Sequence, residues 1–446
     1  MASNHHICSI VPPYLLEQLC HCDDESVRES AHASFAVQKS FHQHRHEFFS
    51  AKCASLGHHH HTGHHDHHDH NGGVPQGIVP GLLLEAVTES SEVDDATKDA
   101  AKKNLEISEQ IRDERAETAA IAAFSVSSLA PEAPPEGTET GFWRGVYDMK
   151  NKGDAAKPWS FTLLPGTPSR LEGQDANKDK AVNEAYDNAL KVLEFYKKFF
   201  NYNSLDNNNM PVKSSVHFGK SLGNAFWLSS SEQMVYGDGN TFIHNFTSCI
   251  DVIAHEMTHA VTQYNSALEY KDESGALNEH LSDAFGIMVK QMVENETAET
   301  ADWLIGEGCL LPGIKGVSLR NMKNPGTAYD DPRFGADIQP ANVSEIPAVM
   351  KKYGDFIKNR DYGGVHIFSG IPNRAFALAS IAFGGYSWEK AGQIWWKVVS
   401  ERRIGPNCTF VQFADATVDA AEELYGDDAA KIVRDAWTEV GVVRKV

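Results

Sequence analysis

Two histidines and a glutamate in the run His255-Glu256-Met257-Thr258-His259 have the residue types and spacing to activate water on a metal ion. The segment Ser248–Tyr264 carries Ile250, Val252, Ile253, Met257 and Val261 at helical intervals. A spacing of four on a helix puts both imidazoles on one face, one turn apart, where a single zinc ion can take both at about 2.0–2.1 Å. Glu256 then projects beside the metal rather than onto it, as suits a general base acting on a metal-bound water. Such a pentapeptide is short, and many helices contain it with no metal. The next segment, Glu273–Phe285 (ESGALNEHLSDAF), also reads as a helix and places Glu279 twenty residues after His259. A helix–turn–helix return can bring that carboxylate to the same metal as a third ligand. Asp283 lies one turn further on the same face, placed to accept the second N–H of a ligating histidine and fix its tautomer. Taken alone, Glu279 and Asp283 would read as a solvated helix face; beside HEMTH at this spacing they read as ligand and outer-shell acceptor.

The elements that must hold these residues begin after a Pro/Gly/Glu linker, Ala130–Gly141 (APEAPPEGTETG), the clearest boundary in the chain. Beyond it, β-type runs are expected at Phe142–Tyr147, Trp159–Leu164, Val212–Phe218, Ala225–Leu228 and Met234–Tyr236, with a helix over Lys178–Phe200. After Thr247 the pattern is almost wholly helical, at 248–264, 275–293, 366–383, 387–399, 409–424 and 428–438. The expected fold class is α+β: a catalytic domain of two lobes, mixed α/β over 137–260 and α-helical over 261–446. A cleft between two such lobes is a usual place for an active site.

The N-terminal third differs in character. Residues 1–57 open with an apolar pattern that includes Pro12-Pro13-Tyr14-Leu15-Leu16. Residues 58–81 form a His/Gly-rich insert, in which nine of the thirteen residues His58–His70 are histidine, a composition that cannot build a core. That tract either binds transition metals for the site or is low-complexity chain with incidental metal affinity, and the latter is the expectation. Residues 82–136 read as a helix with a narrow apolar stripe between Ser91 and Phe124, followed by the linker.

Composition sets outer limits. A net charge of −21 repels nucleic acid and anionic membrane surfaces, and no apolar run approaches the roughly 20 residues of a membrane span. Residues 1–22 lack the pattern of a secretory signal, so a cytoplasmic protein is expected, with non-classical secretion as the alternative. The seven cysteines give no disulfide framework and are expected to be free thiols, with metal binding by Cys20 and Cys22 the lesser reading. A monomer acting on peptide or protein substrates is expected.

The motifs NAFW (Asn224–Trp227), QMVYGDG (Gln233–Gly239), DVIAHEMTHAVTQY (Asp251–Tyr264), SGALNEHLSDAFG (Ser274–Gly286) and GGVHIFSGIPNRAF (Gly363–Phe376) occur in one order. With them the chain, from about Arg144 to its end, closely resembles the thermolysin family of zinc metallopeptidases. The resemblance implies zinc ligands His255, His259 and Glu279, with Glu256 as base. It further implies that Tyr270 and His366 stabilise the oxyanion, that Asp361 orients His366, that Asn224 and Ala225 bind substrate backbone, and that Arg320 holds a substrate carbonyl. The primed-side pocket would be walled by Val252, Ile305, Leu319 and a phenylalanine at Phe242 or Phe246, implying cleavage before a bulky hydrophobic residue. Taken singly, Tyr270 reads as a packed helix-end tyrosine and His366 as a structural histidine. An inactive relative would need a lost catalytic residue, and an aminopeptidase would need an extra acidic motif for the substrate amine; neither feature is found.

Two departures from the family stand out. Where its secreted members bind calcium, the matching positions are Asp251, Lys290, Asp302, Leu304 and Glu307. A lysine and a leucine there should abolish the calcium site, the Lys290 ammonium pairing with Asp251, Asp302 or Glu307 instead. The N-terminal segment and the motifs RLEGQD (Arg170–Asp175), AVNEAYD (Ala181–Asp187) and NPGTAYDDPR (Asn324–Arg333) resemble the protealysin-like branch of the family. That implies a precursor whose first 135 or so residues are removed on activation, with Pro12–Leu16 covering part of the catalytic lobe or cleft.

Overall fold

The computed structural model describes residues 11, 13–22, 24–34, 141–153, 162–220, 222, 224–228, 231–239, 244–266, 268–310, 312–331 and 335–443. The His58–His70 tract, the expected helix between Ser91 and Phe124, the 130–140 linker and Phe242 lie outside them. The described residues belong to one compact unit.

The N-terminal segment forms α1 (Pro13–Cys20) and a second helical stretch, α2, over 25–34. Leu15, Leu16 and Leu19 are spaced to share one face of α1, and all three are buried in the same core as the later elements. Strands β1 (Arg144–Asp148), β2 (Thr167–Leu171), β3 (Val212–Val216), β4 (Ala225–Leu228) and β5 (Gln233–Tyr236) make one sheet in the order β2-β1-β3-β5-β4. β3 runs parallel to β1 and β5, and β4 closes the sheet antiparallel to β5, leaving β4 as an edge. Of the strand expected at Trp159–Leu164, residues 159–161 lie outside the described residues and 162–164 are short 3-10 and turn backbone; a strand not expected, TPSRL, stands at 167–171. That strand has no apolar alternation and carries a proline, tolerable at a sheet edge and silent to a pattern search.

Helix α3 (Lys180–Phe200) packs under the sheet. The Asp179 carboxylate caps it by accepting from the Ala181 and Val182 amides, and Asn201 ends it in the left-handed conformation. The helical lobe is organised by α4 (Ile250–Asn265) and α5 (Asp272–Glu294), which run side by side. Every residue of α4 from Asp251 to Gln263 is buried, as is α5 from Ser274 to Gln291. Helices enclosed on all faces carry their polar residues inward, which requires each to have a partner. Gly286 permits the approach: a Cβ there would stand 2.8 Å from the Asp251 carbonyl oxygen and 3.5 Å from the His255 Cβ. Gly275 plays the same part at the start of α5, where a Cβ would meet Val365 and the backbone of Tyr270.

Short ribbons β6 (Leu304–Ile305) with β7 (Arg320–Asn321), and β8 (Asp330–Asp331) with β9 (Gly335–Ala336), lead to α6 (Ile346–Arg360). The sequence pattern did not anticipate α6, whose apolar residues Ile346, Val349, Met350 and Tyr353 are only half-buried. The helix expected over 366–383 is broken at Ser369 into α7 (Val365–Phe368) and α8 (Gly370–Phe383). Pro372 at the first turn of α8 is compatible with a restart, since an early helical position needs no amide donor. Helices α9 (Ala391–Ser400), α10 (Phe410–Tyr425) and α11 (Asp427–Glu439) complete the lobe. No helix among the described residues is long and apolar enough to cross a membrane.

Candidate metal centre and active site

His255 and His259 project from α4 toward Glu279 on α5, and a ligand atom from each of the three lies within 4.8 Å of the others. Their orientation is fixed from behind. His255 Nδ1 lies 2.8 Å from Asp283 Oδ1, and His259 Nδ1 lies 2.8 Å from Asn278 Oδ1 and 3.0 Å from Ser282 Oγ. A carboxylate and an amide oxygen can only accept, so both Nδ1 atoms carry the proton and both Nε2 atoms present a lone pair. Those two Nε2 atoms are 3.0 Å apart, and the Glu279 carboxylate is 3.6 Å from one and 3.8 Å from the other. Facing lone pairs repel, whereas a cation among them satisfies all three groups. Burial pushes the His259 imidazole down to about 3, against the pull of Glu279, which keeps it neutral and able to ligate. Burial would raise Glu279, but His366, His259 and His255 outweigh it and the carboxyl is lowered. Two neutral imidazoles and one carboxylate are the donor set of an open zinc site.

Asn278 and Ser282 were not singled out in the sequence. Their signal was their spacing of four on the helix that carries Glu279 and Asp283. Asn373 was also missed: its amide donates to Asp283 Oδ2 at 2.8 Å and its oxygen lies 2.8 Å from His280 Nδ1. Nothing local in the sequence connects it to residues ninety positions earlier.

Glu256 Oε2 accepts the Trp227 backbone amide at 3.1 Å, so the edge strand β4 is fastened to the same helix turn as the histidines. Ala225 begins that strand, and Asn224 immediately precedes it, buried. Tyr270 donates to Glu279 Oε1 and lies 3.3 Å from His366 Nε2, which is itself 3.6 Å from Glu279 Oε2. His366 Nδ1 meets the buried Asp361 at 2.7 Å. Burial opposes the imidazolium, but Glu279 and Asp361 outweigh it, so His366 is raised. Gln339, also unanticipated, donates to the His366 carbonyl at 2.6 Å and steadies the turn.

Arg320 is buried and grips Asp283 with Nε at 2.8 Å and Nη2 at 2.6 Å. On the neighbouring strand Ile305 is its register partner, and the Leu319 amide donates to the Ile305 carbonyl. Val252, Ile305, Leu319 and Phe246 are all fully buried in one apolar cluster. Lys290 Nζ lies 3.1 Å from Asp302, 2.7 Å from Glu307 and 3.3 Å from the Leu304 carbonyl. Asp251 does not bond it; its carboxylate accepts the Gly306 and Val252 amides.

Fold and site together define an α+β protein with a buried His/His/Glu centre between a sheet edge and a helical lobe. Residues 140–263 match the family described as thermolysin metallopeptidase, catalytic domain, and 266–442 match its alpha-helical domain. The chain is 43% identical over 300 residues to "Protease PrtS" of Photorhabdus sp. (strain Az29), covering 67% of this chain and 76% of that protein. It is 47% identical over 281 residues to "Extracellular metalloprotease" of Pectobacterium carotovorum subsp. carotovorum, covering 63% and 78% respectively. A solved structure, "Precursor of Protealysin, Metalloproteinase from Serratia proteamaculans", superposes with a TM-score of 0.62 at 39% identity, over 82% of this chain and 99% of that one. The chain belongs to the thermolysin family of metalloendopeptidases. The expectation of a cytoplasmic protein is overturned by these relatives, one of which is named for its extracellular place. The lack of a leader-like pattern over residues 1–22 was a misleading guide, because that pattern says nothing about other routes or about later processing.

Proposed function

We propose that this chain is a zinc-dependent neutral endopeptidase, made as a zymogen, that cleaves before bulky hydrophobic residues. The observation that carries the reading is the pair of Nε2 lone pairs 3.0 Å apart on His255 and His259, facing Glu279. Zinc held by these three residues would polarise the scissile carbonyl and bring a water near its ionisation at neutral pH. Glu256, steadied by the Trp227 amide, takes the proton from the attacking water and delivers it to the leaving amine. Tyr270 and His366 donate to the carbonyl oxygen as it gains charge, and Asp361 holds the histidine in the donating tautomer. Substrate backbone adds along Asn224–Ala225 at the edge of β4, and Arg320 orients a carbonyl beyond the cut. Val252, Ile305, Leu319 and Phe246 supply an apolar pocket for the residue after the scissile bond.

Residues 1 to about 135 are read as the segment lost on activation, in keeping with the likeness to a precursor structure. The buried α1 is then a portion of that segment seated on the catalytic unit. The position of Lys290 supports a chain that does without calcium at the Asp251–Glu307 cluster.

The test is an internally quenched, end-blocked peptide assayed with the processed enzyme. Glu256→Gln should reduce kcat by about a thousandfold or more while zinc content stays full, and a zinc chelator should abolish turnover reversibly. A peptide-library digest should show Leu, Ile or Phe after the cut. Turnover unchanged in Glu256→Gln would end the mechanism, and a flat library profile would end the specificity.

A further inference from the structure

Two of the buried cysteines face each other. Cys249 is the residue that caps the start of α4, and Cys309 lies in the loop that follows β6; they are 60 positions apart in the chain. Their Sγ atoms are 2.6 Å apart, well inside the roughly 3.6 Å expected of two sulfur atoms in simple contact. Each backbone is held in place. The Cys249 amide donates to the Phe246 carbonyl, the Cys309 amide to the Gly306 carbonyl, and the Cys309 carbonyl accepts the His244 amide. The same two elements are already joined two residues along, where Asp251 accepts the Gly306 amide at 2.5 Å. Both residues are buried, Cys309 fully and Cys249 at 8% exposure.

We propose that Cys249 and Cys309 are the two halves of a disulfide that locks the start of the HEMTH helix to the loop carrying Ile305 and Glu307. The oxidant is a disulfide of low molecular weight, or the active-site disulfide of a thiol oxidoreductase. The Cys249 thiolate attacks one sulfur of that disulfide and expels the other as a thiolate. The Cys309 thiolate then attacks Cys249 in the mixed disulfide and expels the second thiolate. Two cysteine thiols are oxidised, one disulfide is reduced to two thiols, and the two cysteine protons end on the released thiolates. Burial pushes the Cys309 thiol well above its ordinary value, so closure is slow once the loop is packed. The bond would form most readily while the chain folds in an oxidising setting, the setting in which disulfides persist. In the structure these two stand as thiols, as do Cys22 and Cys408, and the proposal departs from the sequence reading only for Cys249 and Cys309, whose separation of sixty positions gave no hint of pairing.

The lock matters because the loop it fastens holds both a wall of the proposed specificity pocket and a carboxylate of the Lys290 cluster. Its test reads thiols and melting, and so stands or falls independently of the peptidase mechanism. The full-length protein is unfolded and reduced, refolded in a buffer of oxidised and reduced glutathione, denatured in N-ethylmaleimide, and digested without reduction. Mass mapping should find the Cys249 peptide joined to the Cys309 peptide, two hydrogens lighter than their sum, with neither residue carrying the label. Reduction by a phosphine should then lower Tm by about 5–10 °C. The double variant Cys249→Ala, Cys309→Ala should melt at one temperature with or without reductant. N-Ethylmaleimide or glutathione on both cysteines after oxidation would overturn the proposal. A crosslinked protein whose Tm is indifferent to reduction would overturn the locking role. The mapping uses the unaltered chain, so it decides the bond even if the variant does not fold.

Discussion

Arg320 and His255 bind the same carboxylate, that of Asp283. Asp283 accepts the guanidinium through both oxygens, at 2.6 and 2.8 Å, while its Oδ1 also meets His255 Nδ1 at 2.8 Å. Burial alone would raise Asp283, but Arg320 and then His255 outweigh it, and the carboxyl is held well below the usual range. It therefore stays ionised, and the imidazole proton stays on the side away from the metal position.

Asp283→Asn should separate the two duties of this residue. Loss of the charge weakens the basicity of His255, and zinc affinity should fall by roughly 10–100-fold in a competition titration. The buried Arg320 loses the carboxylate it grips through two nitrogens, at a cost of about 3–5 kcal/mol in urea unfolding. Adding Arg320→Met should restore much of the stability and none of the zinc affinity. Affinity that recovers together with stability would mean that Asp283 serves only the fold.

In the sheet lobe two carboxylates grip one histidine. His217 Nδ1 lies 2.5 Å from Asp238 and Nε2 lies 2.9 Å from Asp179, the residue that caps α3. The Asp238 hydrogen bond, helped by Asp179 and opposed by burial, pushes His217 up to about 9. A group raised on folding gives its full stabilisation below its unfolded value, about 6.5, and loses it as pH rises through its folded value. Tm should therefore decline between about pH 6.5 and 9. His217→Asn is suited to the test, because asparagine tolerates the left-handed backbone that His217 adopts at φ 55°. The variant should be less stable at pH 6 and show a flatter profile to pH 9; a parallel profile would exclude His217 as the source.

Lys290 offers a third test. Its side chain is 5% exposed and lies among carboxylates that are 34% and 48% exposed, so screening reduces what the cluster contributes. Lys290→Met should cost about 1–2 kcal/mol, and the parent should melt at the same temperature in millimolar calcium or in a calcium chelator. Lys290→Glu, which adds a carboxylate beside Asp302 and Glu307, should gain a calcium-dependent Tm. A parent protein stabilised by calcium at this cluster would refute the replacement.

The ease with which these parts could be read from the sequence follows from how local each signal is. HEMTH and the Glu279–Asp283 face are spacings within single helices, and the apolar residues of α4 and α5 recur at helical intervals between them. Strands β4 and β5 are short apolar runs, and both were located to within a residue. What stayed hidden is relational. Gly286 matters because a Cβ there would stand 2.8 Å from the Asp251 carbonyl oxygen, Asn373 because it reaches Asp283, and Trp227 because its backbone, not its ring, meets Glu256. Helix α6 stayed hidden for a different reason: its apolar face is half-buried and partly covered by α1, so its pattern is weak unless its partner is known.

That partnership gives the last prediction. Helix α1 buries Leu15, Leu16 and Leu19, packs against α6, and sends the Tyr14 hydroxyl to Asp337 at 3.2 Å. If the segment is held chiefly by apolar burial, Leu15→Ala should weaken its seating by about 2–4 kcal/mol, whereas Tyr14→Phe, which removes the hydroxyl bonded to Asp337 and Tyr329, should cost about 1–2 kcal/mol. Weaker seating should expose the chain beyond α1 to cleavage, so an intact-mass time course should show Leu15→Ala losing its N-terminal segment several-fold faster than the parent, with Tyr14→Phe in between. The processed products of all three should share one Tm, since the substituted residue has left with the segment. Equal rates for the three proteins would show that α1 does not restrain the cut, and that its burial serves only the folding of the unprocessed chain.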